Sequence, residues 1–110
     1  MAFDEGLAER VRALLDERAD VQDRRMFGGI AFLVAGNMAC GVMRDELMVR
    51  VGADSAATVI TSEDGARAMD MKGRPMRGWV LVAPEATADD GDLGRWVRRG
   101  EAYAASLPQK

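Results

Sequence analysis

Few side chains in this sequence could do covalent or metal chemistry, and the 110-residue chain contains no histidine at all. Ser-His-Asp and Cys-His catalysis, histidine metal sites and histidine pH switching therefore lie outside its repertoire. A single cysteine, Cys40, excludes an intramolecular disulfide and every CxxC redox or zinc motif. It sits between Ala39 and Gly41 in an alternating apolar run, with no base closer than Arg44. A reactive thiol needs cationic or helix-N-terminal surroundings, so Cys40 reads as buried and inert. Serine catalysis would need another base, yet Lys72 is the only lysine before Lys110, and Ser55, Ser62 and Ser106 fall outside any elbow motif. The run Asp89-Asp90-Gly91-Asp92 looks calcium-like, but the twelfth position counted from Asp89, where an EF loop places glutamate, is Gly100. Helix capping accounts for these acids. Gly28-Gly29 matches neither GxxxxGK[ST] nor GxGxxG and precedes a strand, which points to a bulge or a close backbone crossing rather than a phosphate cradle.

Two constellations remain. Arg67, Lys72, Arg74 and Arg77 are opposed by Asp70 alone across one hairpin, beside Trp79. A basic ribbon of this kind could meet an acidic protein or a nucleic acid, and these four residues form the candidate interaction surface. Of eight methionines, seven follow Met1: Met26, Met38, Met43, Met48, Met69, Met71 and Met76. All fall in or beside expected strands, where they could fill core gaps or line a face covered by a second subunit. Met43 and Met48 flank one turn and could touch across it.

Composition bounds the rest. Hydrophobic residues are 48% and charged residues 30%, the balance of a globular domain, and one domain over residues 1–110 is expected. Eighteen acids against fifteen bases give a net charge of −3, so the whole chain is not a polyanion binder. The start, MAFDEGLAER, lacks the basic and apolar regions of a signal peptide, and the longest apolar run, Ile30 to Ala35, is far short of the ~20 residues that span a bilayer. A cytoplasmic location without membrane contact is the expectation.

The elements that must position these residues follow from periodicity. Leu7, Val11, Leu14 and Leu15 make one apolar helical stripe, and Asp20 to Asp23 read as a polar connection. From Arg25 to Val51 the period becomes two. Strands around Ile30–Val34, Met38–Met43 and Leu47–Val51 are joined by turns at Gly36-Asn37 and Arg44-Asp45-Glu46. Met38, Cys40 and Val42 share one expected face. A short helix is expected within Gly52 to Ala66. Ala68–Met71 and Met76–Val82 then pair around Lys72-Gly73-Arg74-Pro75, with Trp79 and Leu81 facing opposite to Val80 and Val82. Pro84 ends pairing, and Leu93, Trp96, Val97, Gly100, Ala104 and Leu107 stripe a final helix. The order α-β-β-β-α-β-β-α is an α+β arrangement of an antiparallel sheet with packed helices.

Arg25-Met26-Phe27-Gly28-Gly29, Gly36-Asn37-Met38, Leu47 to Val51, Met71-Lys72-Gly73-Arg74-Pro75-Met76, Val82-Ala83-Pro84-Glu85 and the Leu93-to-Trp96 spacing occur in this order along nearly the whole chain. Together they resemble the N-terminal domain of the TfoX/Sxy family, named after bacterial regulators of competence. The resemblance implies a curved five-stranded antiparallel sheet flanked by helices. It also implies structural roles for Met26, Phe27, Gly28, Gly29, Gly36, Asn37, Gly73, Pro75, Pro84 and Trp96. It supplies no catalytic residues and no cofactor. The regulators that name the family carry a second, helix-hairpin-helix-like domain, and Lys110 is reached without one, so a stand-alone module is expected. The leading expectation is a non-enzymatic protein-interaction module with a regulatory role, with a homodimer as an alternative assembly. The alternatives are a small-ligand binder or enzyme using carboxylates and arginines in a sheet-helix cleft, and direct nucleic-acid binding through the basic hairpin.

Overall fold

Alternating apolar residues build a six-stranded antiparallel sheet in the computed structural model, which describes residues 3–26 and 28–110. Helix α1 (Glu5–Leu15) precedes β1 (Val21–Met26), β2 (Gly29–Val34), β3 (Asn37–Met43) and β4 (Glu46–Arg50). Helix α2 (Ala53–Ser62) then leads to β5 (Ala66–Met71) and β6 (Arg74–Val82), and a 3-10 turn (Pro84–Ala86) leads to α3 (Asp90–Ala105). Strand order is β1-β2-β3-β4-β6-β5. The α+β class is as expected, but the sheet has six strands, not five.

The additional strand is β1, whose first residues had read as a connection. Its sequence VQDRRM buries neither face fully, because it pairs only with β2, from Val21 opposite Val34 to Met26 opposite Gly29. Exposed Asp23, Arg24 and Arg25 suit an edge, where charge discourages pairing with another chain. Every residue of β2, by contrast, is buried, as its two apolar faces had indicated.

All three helices lie on one face of the sheet. Leu7, Val11 and Leu15 of α1, Val59 of α2, and Leu93, Trp96 and Val97 of α3 pack on Phe32, Cys40, Val42, Leu47, Val49, Val80 and Val82. Each fully buried side chain of this size contributes roughly 1.5–3 kcal/mol. Leu14, placed on the α1 stripe by its spacing, is 39% exposed instead. The helix turns on Ala8 and Val11, leaving Leu14 at the margin of the interface. Asp4 and Asp89 cap the first and last helices, accepting from the Leu7 and Asp92 amides at 3.1 and 3.2 Å.

Two irregularities reshape the opposite face. Phe32 pairs with Cys40 but Leu33 with Met38, so Ala39 is an extra residue in β3. The phase of β3 inverts there: Met38 leaves the face of Cys40 and Val42 that its spacing had assigned, and joins Met43 on the other side. In the second irregularity, Ala68 pairs with Val80 but Asp70 with Pro75, so Met69 alone faces Met76, Arg77, Gly78 and Trp79. Gly78 takes φ +85° at this bulge, and its carbonyl accepts from the Val51 and Gly52 amides. Met69, Met71 and Met76 around this bulge line the helix-free face. Gly29 is needed for a close approach as anticipated: a Cβ there would stand 2.5 Å from the Val42 carbonyl oxygen.

Candidate functional site

The basic hairpin is built on a two-residue turn, Lys72-Gly73, with φ of +53° and +79°. Positive φ at both positions is the I′ pattern whose twist matches the flanking strands. Met71 and Arg74 pair across it, and Lys72, Arg74, Pro75 and Arg77 are exposed. Among the described residues none of Lys72, Arg74 and Arg77 takes part in an ion pair, whereas Arg10, Arg12, Arg18, Arg95 and Arg99 all do.

Arg67 does not belong to this cationic tip. It lies toward the other end of β5 and binds Glu46 with both terminal nitrogens, one at 2.9 Å from Oε1. Glu46 is buried, and the hydrogen bonds from Arg67 hold its carboxyl below the usual range against the opposing effect of burial. Of the four candidate residues, Arg67 is thus paired with Glu46, while Lys72, Arg74 and Arg77 are the three at the hairpin tip without an ion pair among the described residues.

Trp79, which had read as the aromatic neighbour of the basic ribbon, is only 7% exposed. It packs with Met48, Met69 and Leu81 as a second core on the helix-free face, and Met38, Met43, Met71 and Met76 pack against it half-buried. Met43 and Met48 do share one cluster. Met48 lies so close over Gly41 that a Cβ on that glycine would fall 2.4 Å from the Met48 Cε. Met26, from the opposite edge of the sheet, lines the same small cavity of about 50 Å³. The methionine face is thus largely closed by its own side chains within one chain. The convergence of Met26 with Met71 had no signal in local spacing, although the placement of the methionines in strands did mark the face.

A shallow cleft of about 530 Å³ between the end of α2, the 3-10 turn and α3 brings together Glu63, Asp64, Glu85, Asp92 and Arg95. This is the sheet-helix cleft nearest to the enzyme expectation. Glu63 is tied to Arg99 at 2.7 Å and to Arg95 at 3.4 Å, and its carboxyl is held low, first by the Arg99 hydrogen bond. It is an ionised anchor rather than a poised general acid. Arg99 Nη1 is buried without a hydrogen-bond acceptor, while its guanidinium lies 4.7 Å from the Trp96 ring centroid, whose π face offsets part of that cost.

The remaining motif residues have structural settings. Gly36, with Ala35, makes the β2–β3 turn, so that turn lies one residue earlier than expected. Asn37 instead opens β3, is buried, and donates from Nδ2 to the Pro108 carbonyl at 3.0 Å. Pro84 opens the 3-10 turn, Trp96 is buried under the sheet, and Gly28 takes φ +77°. Phe27 lies outside the described residues. Cys40 is buried on the helix side, and burial pushes its thiol up to about 12. Among the described residues no three His, Cys, Asp or Glu side chains converge as a metal-ligand group, and no helix is long and apolar enough to cross a membrane.

The family model described as TfoX N-terminal domain matches residues 13–104. No curated protein matches the chain.

Proposed function

We propose that this chain, which belongs to the TfoX N-terminal domain family, works as a regulatory-type binding module that docks an acidic protein surface through the tip of its β5–β6 hairpin. The observation that carries this reading is the exposed trio Lys72, Arg74 and Arg77, without ion-pair partners among the described residues, at and beside a turn of defined geometry. The rest of the surface is acidic on balance, given the net charge of −3, so three clustered cations form a local attraction for an acidic partner. A protein partner fits better than a nucleic acid. Single-strand binders present aromatic platforms to the bases, and Trp79 is turned into the second core.

The test is affinity capture with the full chain from its native cells, compared with a Lys72→Glu/Arg74→Glu/Arg77→Glu variant. A partner recovered in stoichiometric amount by the native chain, lost by the variant and weakened by added salt supports the reading. A partner retained equally by the variant, with an unchanged circular dichroism spectrum, overturns it. Retardation of nucleic acid at physiological salt, abolished by the same substitutions, would favour the nucleic-acid alternative instead.

A further inference from the structure

We propose that the methionine-lined chamber on the helix-free face is a binding site for one soft monovalent cation, Cu(I), held by thioether sulfurs beside the Trp79 ring. The first argument is segregation. All seven methionines after Met1 line this one space, and none belongs to the buried cluster under the helices, which uses valine, leucine, isoleucine, aromatics, Ala8 and Cys40. Methionine used only as an adaptable gap-filler would be drawn on by both cores.

The second argument is convergence. Met26 comes from β1 and Met69 and Met71 from β5, the two edges of the strand order β1-β2-β3-β4-β6-β5. Met69, Met76 and Trp79 of this lining come from the β5–β6 irregularity, where Met69 alone faces Met76 to Trp79. The backbone departs from regular pairing at residues that line the shared space.

Size and donor chemistry then select the occupant. The chamber encloses about 50 Å³, whereas organic ligands occupy pockets of roughly 300–1,000 Å³. One ion suits it. No Asp or Glu lines it, so a hard cation such as Mg²⁺ or Ca²⁺ finds no carboxylate donor there, while neutral thioethers are ligands that select Cu(I). A single positive charge also tolerates an apolar setting better than two. Met48, Met69 and Trp79 form the buried floor, and half-buried Met26, Met38, Met43, Met71 and Met76 supply an entrance that can adjust by rotation about three side-chain bonds. Cys40, the single thiol of the sequence, is buried on the opposite face of the sheet.

The whole chain, kept anaerobic, is titrated with Cu(I) against a chromophoric Cu(I) chelator, and separately with Ag(I) as a redox-inert probe. The expected result is one ion per chain, with quenching of tryptophan fluorescence. Met48→Leu/Met69→Leu conserves volume and should weaken binding on the order of tenfold or more. Cys40→Ala should bind as the native chain does. Should the buried pair of substitutions prevent folding, Met71→Leu/Met76→Leu at the half-buried rim gives the same readout. Absence of binding by the native chain overturns the proposal. So does binding untouched by the methionine substitutions, lost with Cys40, or matched by Zn²⁺. The charge-reversed hairpin variant should bind Cu(I) normally, so this site and the docking surface stand or fall separately.

Discussion

Arg67 on β5 reaches across the intervening β6 to grip Glu46 at the start of β4, nitrogen for oxygen at both ends of the carboxylate. The pair fastens the edge strand to the sheet interior beside the methionine chamber. Glu46 keeps 11% of its side-chain surface exposed and Arg67 keeps 54%, so the acid is the partner that depends on the contact.

Removing Arg67 should therefore leave a nearly buried carboxylate with only Arg44, at 3.9 Å, nearby. Arg67→Met is expected to lose about 1–2 kcal/mol at neutral pH, read as a lower urea midpoint. The sign with pH follows from the depressed carboxyl of Glu46. The pair's contribution is fully present above the ordinary glutamate pKa of about 4.3 and is lost as pH falls through the lower native value. The gap between native chain and variant should close under acid. A gap independent of pH would show that the ion pair is not its source.

Two glycines of α3 should respond oppositely to alanine. At Gly100 a Cβ would fall 2.3 Å from the Ala39 carbonyl oxygen, so the helix rides directly on β3 and cannot recede without losing Trp96 and Val97. Gly100→Ala should cost about 1–3 kcal/mol. At Gly94 a Cβ meets nothing within 4 Å, and Gly94→Ala should stabilise by about 0.5–1 kcal/mol through helix propensity. Thermal melts of the two variants check both, and equal shifts would contradict the close α3–β3 contact.

Asn37 secures the C-terminal tail. Its Nδ2 donates to the Pro108 carbonyl, and the Lys110 amide donates to the Ala35 carbonyl at 3.0 Å. Asn37→Leu should free the tail, accelerate proteolysis after Ser106, and cost about 1–2 kcal/mol. Unchanged cleavage of the tail would show that Asn37 does not anchor it.

Cys40 should be silent in the native state. Its side chain is buried, and a thiol pushed up to about 12 supplies almost no thiolate at neutral pH. Labelling by a disulfide reagent should follow unfolding, rising with urea at the same midpoint as the loss of circular dichroism. Rapid labelling in native buffer would place Cys40 elsewhere.

The strands under the helices were legible because burial on both faces leaves continuous apolar runs, as at Ile30–Val34, and because Val80 and Val82 alternate with Trp79 and Leu81. The punctuation of α3 by Asp89 was legible because a cap is a local interaction. Strand β1 was not, since an edge strand with Asp23, Arg24 and Arg25 exposed carries no period that separates it from a loop. Met38 was assigned to the wrong face because a single bulge residue, Ala39, inverts everything before it. The basic hairpin was visible in the sequence, but the pairing of Arg67 with Glu46 was not, because Glu46 lies twenty-one residues away.

By itself the sequence determined that histidine chemistry and a cysteine framework are excluded, that α+β alternation prevails, and which family the motifs resemble. Those are properties of residue type and short-range order, and short-range order survives in a string of letters. Only the tertiary structure decided that Met26 and Met71 share a chamber, that Trp79 is withdrawn from the basic ribbon, and that Arg67 is spent on Glu46. Each of these depends on how strands far apart in sequence are registered and bent. That register is set by the bulges at Ala39 and Met76–Trp79, where the two-residue period on which strand reading rests gives way.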